Sequence, residues 1–379
     1  MASHGVPRVT STEERAQQCP LKEQRQITEY KELVELVESN IRAREYTAEV
    51  LAQTSKLLTQ NPEYYTIWNH RRLILQHQFS QSPRILADSE AGSDPEDSPT
   101  YKLLTSDLYF LVPLLRKFPK CYWIWNHRLW LLQASITFLP TPIARQLHLG
   151  EMKLVGKMLA LDSRNFHGWD YRRYIVAALE SPKLEGQSMA EPEFEYTTKM
   201  IQTNLSNFSA WHRRGKLIPR LLDERDATPA ARREFLDSEF ALILRALYTD
   251  PYDQSLWFYH HFLISALTPT LTKTPNAAAI VPDLSPSEIL VILDRELANI
   301  KELLEDADDC KWLYQALLGY TLLRRHIARD ATSEEGGKRD DDTDREREEG
   351  DPLKIYLREL HKLDPLRRGR WDDMALKLD

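Results

Sequence analysis

A lysine at one turn of this chain has the clearest capacity for chemistry. Five residues before each of five regularly placed tryptophans stand Glu63, Lys120, Arg164, Ser206 and Tyr252, so a cation occupies this position only twice. Lys120 precedes a predicted helix N-terminus, where an ammonium group and backbone N–H groups together can hold a phosphate. The residue types alone favour an ordinary solvated turn lysine over a phosphate-binding one, and both interpretations stay open at this point.

The other recurrent polar residues favour a structural role. Arginine follows four of the tryptophans by three residues, and an aromatic residue precedes each of the four by three. These sets are Tyr65/Trp68/Arg71, Tyr122/Trp125/Arg128, Phe166/Trp169/Arg172 and Phe208/Trp211/Arg214. Because the pattern returns in unit after unit, we predict that tryptophan fills the core between units. We expect each arginine to cap the neighbouring helical hairpin or to form a salt bridge with it.

Known catalytic and metal-binding motifs are absent from the sequence. It has no GxGxxG, Walker, HExxH or GxSxG pattern. His70 and His127 share a repeat position that tyrosine takes elsewhere, which a metal ligand would not normally tolerate, so we expect packing histidines. Three cysteines without a close pair offer neither a disulfide framework nor a cysteine zinc site, and they favour a reducing cytoplasmic location. Any part in catalysis is therefore expected to be as one component of a larger assembly.

Helical hairpins must position these residues. Each unit shows an amphipathic stretch, a turn and a second helix with the tryptophan in its first turns. Seven units are centred on Trp68, Trp125, Trp169, Trp211, Trp257 and, more weakly, Trp312 and Trp371. The apolar residues six and seven positions after the five strong tryptophans share a face with them. The sequence predicts an all-α fold, an alpha-alpha superhelix (solenoid) of helical hairpins, over the single domain 1–379.

Polar segments interrupt this array. Residues 80–101 and 330–351 are predicted to be flexible insertions, and the second of them accounts for the whole formal charge of −7. The remaining body is about neutral, which disfavours a nucleic-acid binder. No apolar run approaches the roughly 20 residues needed to span a bilayer, and no signal segment begins the chain.

The series of hairpins from residue 61 to residue 378 resembles the α-subunit repeats of protein prenyltransferases. Within that family, the opening HGVPR at His4 is similar to the Rab geranylgeranyltransferase (type II) branch, in its compact form without appended domains. Trp123 agrees, because it stands where members that serve CaaX substrates carry a glutamine that contacts the substrate carboxylate. Some members also carry an N-terminal histidine that caps the partner's zinc, but His4 lies two residues later, and we expect no such role for it.

The resemblance implies an assembly and two site residues. A β subunit would hold the catalytic zinc and most of the active site, an escort protein would present a Rab GTPase, and geranylgeranyl diphosphate would supply the lipid. Lys120 falls on the family lysine that reaches the diphosphate, and Tyr122 falls on the aromatic residue beside it. An ammonium group and a phenol at these positions would stabilise charge that develops on the diphosphate. The alternatives are the α subunit shared by farnesyltransferase and geranylgeranyltransferase type I, and a non-catalytic helical-repeat adaptor.

Overall fold

The computed structural model describes residues 13–81, 97–268, 279–334 and 351–378, and these residues contain helices and no strand. The α-helices of this part of the chain are α1 Glu13–Ala43, α2 Ala48–Gln60, α3 Tyr65–Gln81, α4 Pro99–Lys117, α5 Tyr122–Phe138, α6 Thr141–Leu161, α7 Phe166–Glu180, α8 Ala190–Thr203, α9 Phe208–Glu224, α10 Pro229–Thr249, α11 Gln254–Leu267, α12 Pro286–Asp306, α13 Lys311–Glu334, α14 Pro352–Leu363 and α15 Arg368–Ala375.

From α2 onward the helices form consecutive hairpins, as the sequence predicts. Each even-numbered helix is the first helix of a hairpin and the following odd-numbered helix is the second. Every one of the seven predicted tryptophans lies in the first turn of a second helix. The five strong tryptophans are buried, and so are all ten apolar residues that follow them at six and seven positions. The expected tryptophan-centred core is confirmed.

Local sequence signals set where several first helices begin. Thr47, Ser98 and Thr228 accept backbone N–H hydrogen bonds through their hydroxyl oxygens at the starts of α2, α4 and α10. Ser285 forms a reciprocal capping box with Glu288 at the start of α12. Proline occupies the first position of four such helices, where its missing N–H costs no hydrogen bond.

Contacts group the chain into two compact units, residues 1–187 and 188–379. In the first unit the second helices α3, α5 and α7 pack side by side, with α2, α4 and α6 as their hairpin partners. In the second unit α9, α11 and α13 pack in the same way against α8, α10 and α12. Each unit therefore has the alpha-alpha superhelical architecture expected from the repeats.

The two predicted insertions are helical at their described ends. Ser98 caps α4, so residues 99–101 belong to its first turn, and α13 continues to Glu334. Residues 82–96 and 335–350 lie outside the described residues, as do His4 and the rest of the HGVPR segment.

Candidate functional site

Lys120 lies on the exposed turn between α4 and α5. Its side chain is 75% exposed, and Nζ is 3.8 Å from Asp162 Oδ2 on the turn of the next hairpin. An ion pair of this length and exposure contributes only ~0–1 kcal/mol. The ammonium group can therefore exchange this carboxylate for another anion at little cost.

Tyr122 is the first residue of α5 and stands beside that turn. Its ring is half exposed. The ring meets Trp123 edge-on at 5.2 Å and His167 at 6.0 Å between centroids. Burial lowers the pKa of the His167 imidazole, and the nearby backbone of Lys120 partly opposes that effect. The first turn of α7 thus supports the segment that presents both predicted site residues.

Trp123 covers one side of this site. Its indole stacks on Tyr65 of the preceding hairpin, with ring centroids 5.5 Å apart and an interplanar angle of 29°. An indole offers no carbonyl and amide pair to a substrate carboxylate. The loss of CaaX reading at this position stays a prediction.

Two polar residues near Tyr122 were missed by the sequence interpretation. Asn126 Nδ2 donates to the Tyr122 hydroxyl oxygen at 3.0 Å, and Arg72 Nη2 on α3 donates to Asn126 Oδ1 at 2.5 Å. Little in the sequence could have identified this asparagine, because the same Trp-Asn-His triplet also occurs at Trp68. The contact with Arg72 spans 54 positions, beyond the reach of any local pattern.

Three arginines of the Trp-x-x-Arg motif, Arg71, Arg128 and Arg214, form buried ion pairs with the next hairpin. Arg71 Nε donates to Asp107 at 2.9 Å, and Arg128 Nε donates to Glu151 at 2.5 Å. In the second unit Arg214 Nε donates to Glu239 at 2.7 Å. The predicted structural role of these arginines is confirmed.

The sequence interpretation overlooked the acidic partners in these pairs. Each lies eighteen residues before the tryptophan of its own repeat, and this fixed separation was the available signal. A side chain from the second helix completes each cluster. The completed clusters pair Asp107 with His127 Nε2 at 2.7 Å, Glu151 with the Tyr171 hydroxyl at 2.7 Å and Glu239 with the Tyr259 hydroxyl at 2.5 Å. His127 is fully buried, which confirms that it is a packing histidine.

The tryptophans also fix the turns. In all five strong repeats the indole N–H donates to the backbone carbonyl six residues earlier, at 2.7–2.9 Å. The next repeat adds a second donor to some of these carbonyls: Cys121 Sγ lies 3.6 Å from the Pro62 oxygen, and Asn165 Nδ2 donates to the Pro119 oxygen. Burial raises the pKa of the Cys121 thiol to about 11, which keeps the thiol protonated near neutral pH.

Among the described residues, no group of three or more histidine, cysteine or acidic side chains could hold a metal ion. No helix in the same ranges has the length and apolar character needed to cross a membrane.

Known proteins share the helical hairpins described above. A model of the protein prenyltransferase alpha subunit repeat matches residues 47–78, 104–135, 149–179, 190–221 and 236–267, the five strong hairpins. A Schizosaccharomyces pombe protein named geranylgeranyl transferase type-2 subunit alpha is 32% identical over 99% of this chain and 98% of its own length. The chain belongs to the protein prenyltransferase α-subunit family.

Other relatives carry the same name. The Saccharomyces cerevisiae protein is 36% identical over 69% of this chain and 72% of its own length. The human protein is 35% identical over 70% of this chain, which corresponds to 42% of that longer relative. These likenesses confirm the predicted type-2 geranylgeranyl transferase α-subunit branch and favour it over the shared α subunit and the adaptor.

A solved structure has the same fold. Candida albicans protein geranylgeranyltransferase-I complexed with GGPP matches with a TM-score of 0.57 and 19% identity, over 93% of this chain and 91% of that one. At this level of identity the match supports the architecture of the family member and says nothing of its substrate.

Proposed function

We propose that this family member is the α subunit of a heterodimeric Rab geranylgeranyltransferase in the cytoplasm. Together with a β subunit it would support transfer of geranylgeranyl from geranylgeranyl diphosphate to C-terminal cysteines of Rab GTPases presented by an escort protein. The observation that carries this proposal is the likeness to the S. pombe type-2 subunit along essentially the whole chain. The replacement of a potential carboxylate-reading amide by Trp123 supports a substrate other than a CaaX terminus.

Lys120 and Tyr122 are the proposed site residues of this chain. As the bond between C1 of the lipid and the diphosphate oxygen breaks, negative charge grows on the diphosphate. A positioned ammonium group and a phenolic O–H stabilise that charge more than they stabilise the ground state, which lowers the barrier. The exposure of both side chains and the weak hold of Asp162 on Lys120 support this role.

The zinc of the reaction has no fitting site among the described residues of this chain. We place it in the β subunit, where a bound zinc ion would activate the substrate cysteine as a thiolate. We infer that this chain contributes by binding the partner and stabilising the leaving diphosphate.

Single-turnover prenyl transfer by the reconstituted heterodimer, with escort protein and Rab, tests the assignment of Lys120. Lys120→Ala should leave the heterodimer intact and slow the chemical step by roughly 10- to 1,000-fold, as expected for one lost electrostatic donor. Single-turnover conditions are needed because product release can limit steady-state turnover.

Arg164 provides the matched control, because it is an exposed cation at the same repeat position one hairpin later. Arg164→Ala should retain the wild-type rate. Equal rates for wild type and Lys120→Ala, or equal losses for both variants, would remove Lys120 from the site. Transfer to a CaaX peptide without an escort protein would instead support the shared α-subunit alternative.

A further inference from the structure

We propose that Arg72 and Asn126 are positioning residues that orient the Tyr122 hydroxyl hydrogen toward the diphosphate. This inference rests on the proposed function, since it requires Tyr122 to act as a hydrogen-bond donor in prenyl transfer. Asn126 and Arg72 need not touch the substrate themselves. A phenol can donate a hydrogen bond through its O–H or accept one through its oxygen. The role of Arg72 and Asn126 is to make Tyr122 offer the O–H donor to the site.

The direction of each hydrogen bond follows from the chemistry of the three groups. A guanidinium group has only donors, so the Asn126 atom 2.5 Å from Arg72 Nη2 must be the amide oxygen. That contact fixes the amide orientation and leaves Nδ2, which can only donate, 3.0 Å from the Tyr122 hydroxyl oxygen. The phenol oxygen accepts this hydrogen bond, and its own O–H is left to point away from Asn126.

Arg72 is held in place by the buried core of the hairpin. Its Nε lies 3.4 Å from His127 Nδ1, and its guanidinium carbon lies 5.7 Å from the Trp130 ring centroid. His127 Nε2 donates to Asp107, so its Nδ1 has a lone pair available for Arg72. Burial lowers the pKa of His127, which favours this neutral form.

Arg72 forms no ion pair with a carboxylate of the described residues. No carboxylate of the described residues lies within ion-pair distance of Arg72, whereas Arg71, the preceding residue, is paired with Asp107. A carboxylate on Arg72 would compete with Asn126 for its N–H groups. Because no carboxylate shares its charge, Arg72 instead polarises the Asn126 amide, which strengthens the hydrogen bond that Nδ2 donates to Tyr122.

The arrangement occurs in the repeat that carries Lys120 and is not reproduced in the repeat before it. Tyr65 and Asn69 occupy the same helix positions on α3, but the Asn69 side chain makes no hydrogen bond with the described residues. The later strong repeats replace this asparagine by Asp170, His212 and Phe258. A purely structural helix-start contact would be expected to recur, as the tryptophan and arginine contacts do.

The test replaces Asn126 by aspartate in the reconstituted heterodimer and compares it with Tyr122→Phe and with the double variant. Aspartate has nearly the same shape and can still pair with Arg72, but its carboxylate only accepts, so Tyr122 must turn its hydrogen inward. We expect Asn126→Asp to slow single-turnover prenyl transfer about as much as Tyr122→Phe, roughly 10- to 100-fold. The double variant should be no slower than Tyr122→Phe alone, because Asn126 acts only through that hydroxyl.

Asn69→Asp is the matched control, since it adds the same charge at the same position of the preceding hairpin. Its rate should equal that of the wild type. If Asn126→Asp reacts at the wild-type rate while Tyr122→Phe is slow, this inference is wrong but the proposed role of Tyr122 stands. The same conclusion follows if the losses of the two single variants multiply in the double variant. A wild-type rate for Tyr122→Phe overturns the proposed role of Tyr122 and this inference together, while Lys120→Ala tests the rest of the site separately.

Asn126→Leu keeps the proposal testable if the aspartate variant assembles poorly. Leucine is close in size to asparagine and removes the donor without adding a charge. The Tyr122 hydroxyl then rotates freely, so we expect a loss of only a few-fold, smaller than that of Tyr122→Phe, with the heterodimer's melting temperature unchanged. A wild-type rate for this variant overturns the inference.

Discussion

At the scale of single residues, the cations of this chain fall into two physical classes. Arg71 and Arg128 are buried and are held by carboxylates of the next hairpin, so they stabilise the fold. Lys120 is exposed and loosely paired, so it remains available to a ligand. Burial and partner geometry, rather than charge, separate the structural from the candidate functional cations.

Asp107 makes the structural class testable through pH. Burial alone would raise the pKa of this carboxyl group, but Arg71 and His127 overcome that effect and lower the pKa from 3.8 to about 2. A carboxyl group with a lowered folded-state pKa stabilises the protein above its unfolded pKa. This contribution, about 2 kcal/mol, is lost as the pH falls from about 4 to about 2.

We expect Asp107→Asn to lower the free energy of unfolding by about 3–5 kcal/mol at neutral pH, because it leaves the buried Arg71 charge uncompensated. The variant should also lack the Asp107 contribution to acid sensitivity. Glu191→Gln, which breaks an exposed pair with Arg225, is the control and should cost no more than about 1 kcal/mol. Urea unfolding followed by tryptophan fluorescence would measure both. Equal small losses would show that the Asp107 cluster does not anchor the hairpins.

At the scale of helices, the packing of neighbouring second helices depends on small residues at defined points. A Cβ atom built at Gly215 of α9 would lie 2.9 Å from Phe262 Cε1 on α11. A Cβ atom at Gly319 of α13 would have no neighbour within 4 Å. The two glycines lie inside helices of the same unit but differ in what surrounds them.

Alanine at these two positions should therefore have opposite effects. Gly215→Ala pushes α9 and α11 apart or displaces the Phe262 ring, and we expect it to cost about 1–3 kcal/mol. Gly319→Ala gains helix propensity without a clash and should stabilise the unit by up to about 1 kcal/mol. Thermal unfolding of the two variants beside the wild type measures the difference. Stabilisation by both substitutions would show that Phe262 yields freely and that α9 and α11 are not closely packed.

At the scale of the whole molecule, the starts of the second helices expose aromatic rings. Tyr65, Tyr122 and Phe166 in the first unit, and Phe208 and Phe258 in the second, are about half exposed or more. Exposed apolar groups repeated in this way mark, in each unit taken by itself, a surface suited to contact with a partner. Under the proposed function that partner is the β subunit.

Phe208→Asp should therefore weaken the heterodimer by at least about tenfold in Kd, because it places a charge in a buried aromatic contact. Tyr109→Asp is the control, since Tyr109 is more exposed still but lies on α4, a first helix. Titration of labelled β subunit with each variant measures the affinities. If the Tyr109 variant weakens binding as much as the Phe208 variant, the partner does not select the second helices.

The sequence by itself determined the hairpins, their tryptophan cores and the family. These properties depend on short periodic patterns: a helix buries residues three, four and seven apart, and the tryptophan N–H reaches a carbonyl only six residues away. The same regularity set Lys120 and Arg164 apart as the two cations at their repeat position, and the family resemblance then selected Lys120. The fixed interval of Asp107, Glu151 and Glu239 was also present in the sequence, although it was not used.

Only the tertiary structure decided which side chains meet across hairpins. Arg72 and Asn126 are 54 residues apart, and their contact depends on the angle and spacing between α3 and α5. Gly215 and Phe262 likewise meet because α9 packs on α11. Such contacts are set by the summed packing of many apolar residues, so a local pattern cannot specify them. The contact of Arg72 with Asn126 is the one that we propose to position the Tyr122 hydroxyl.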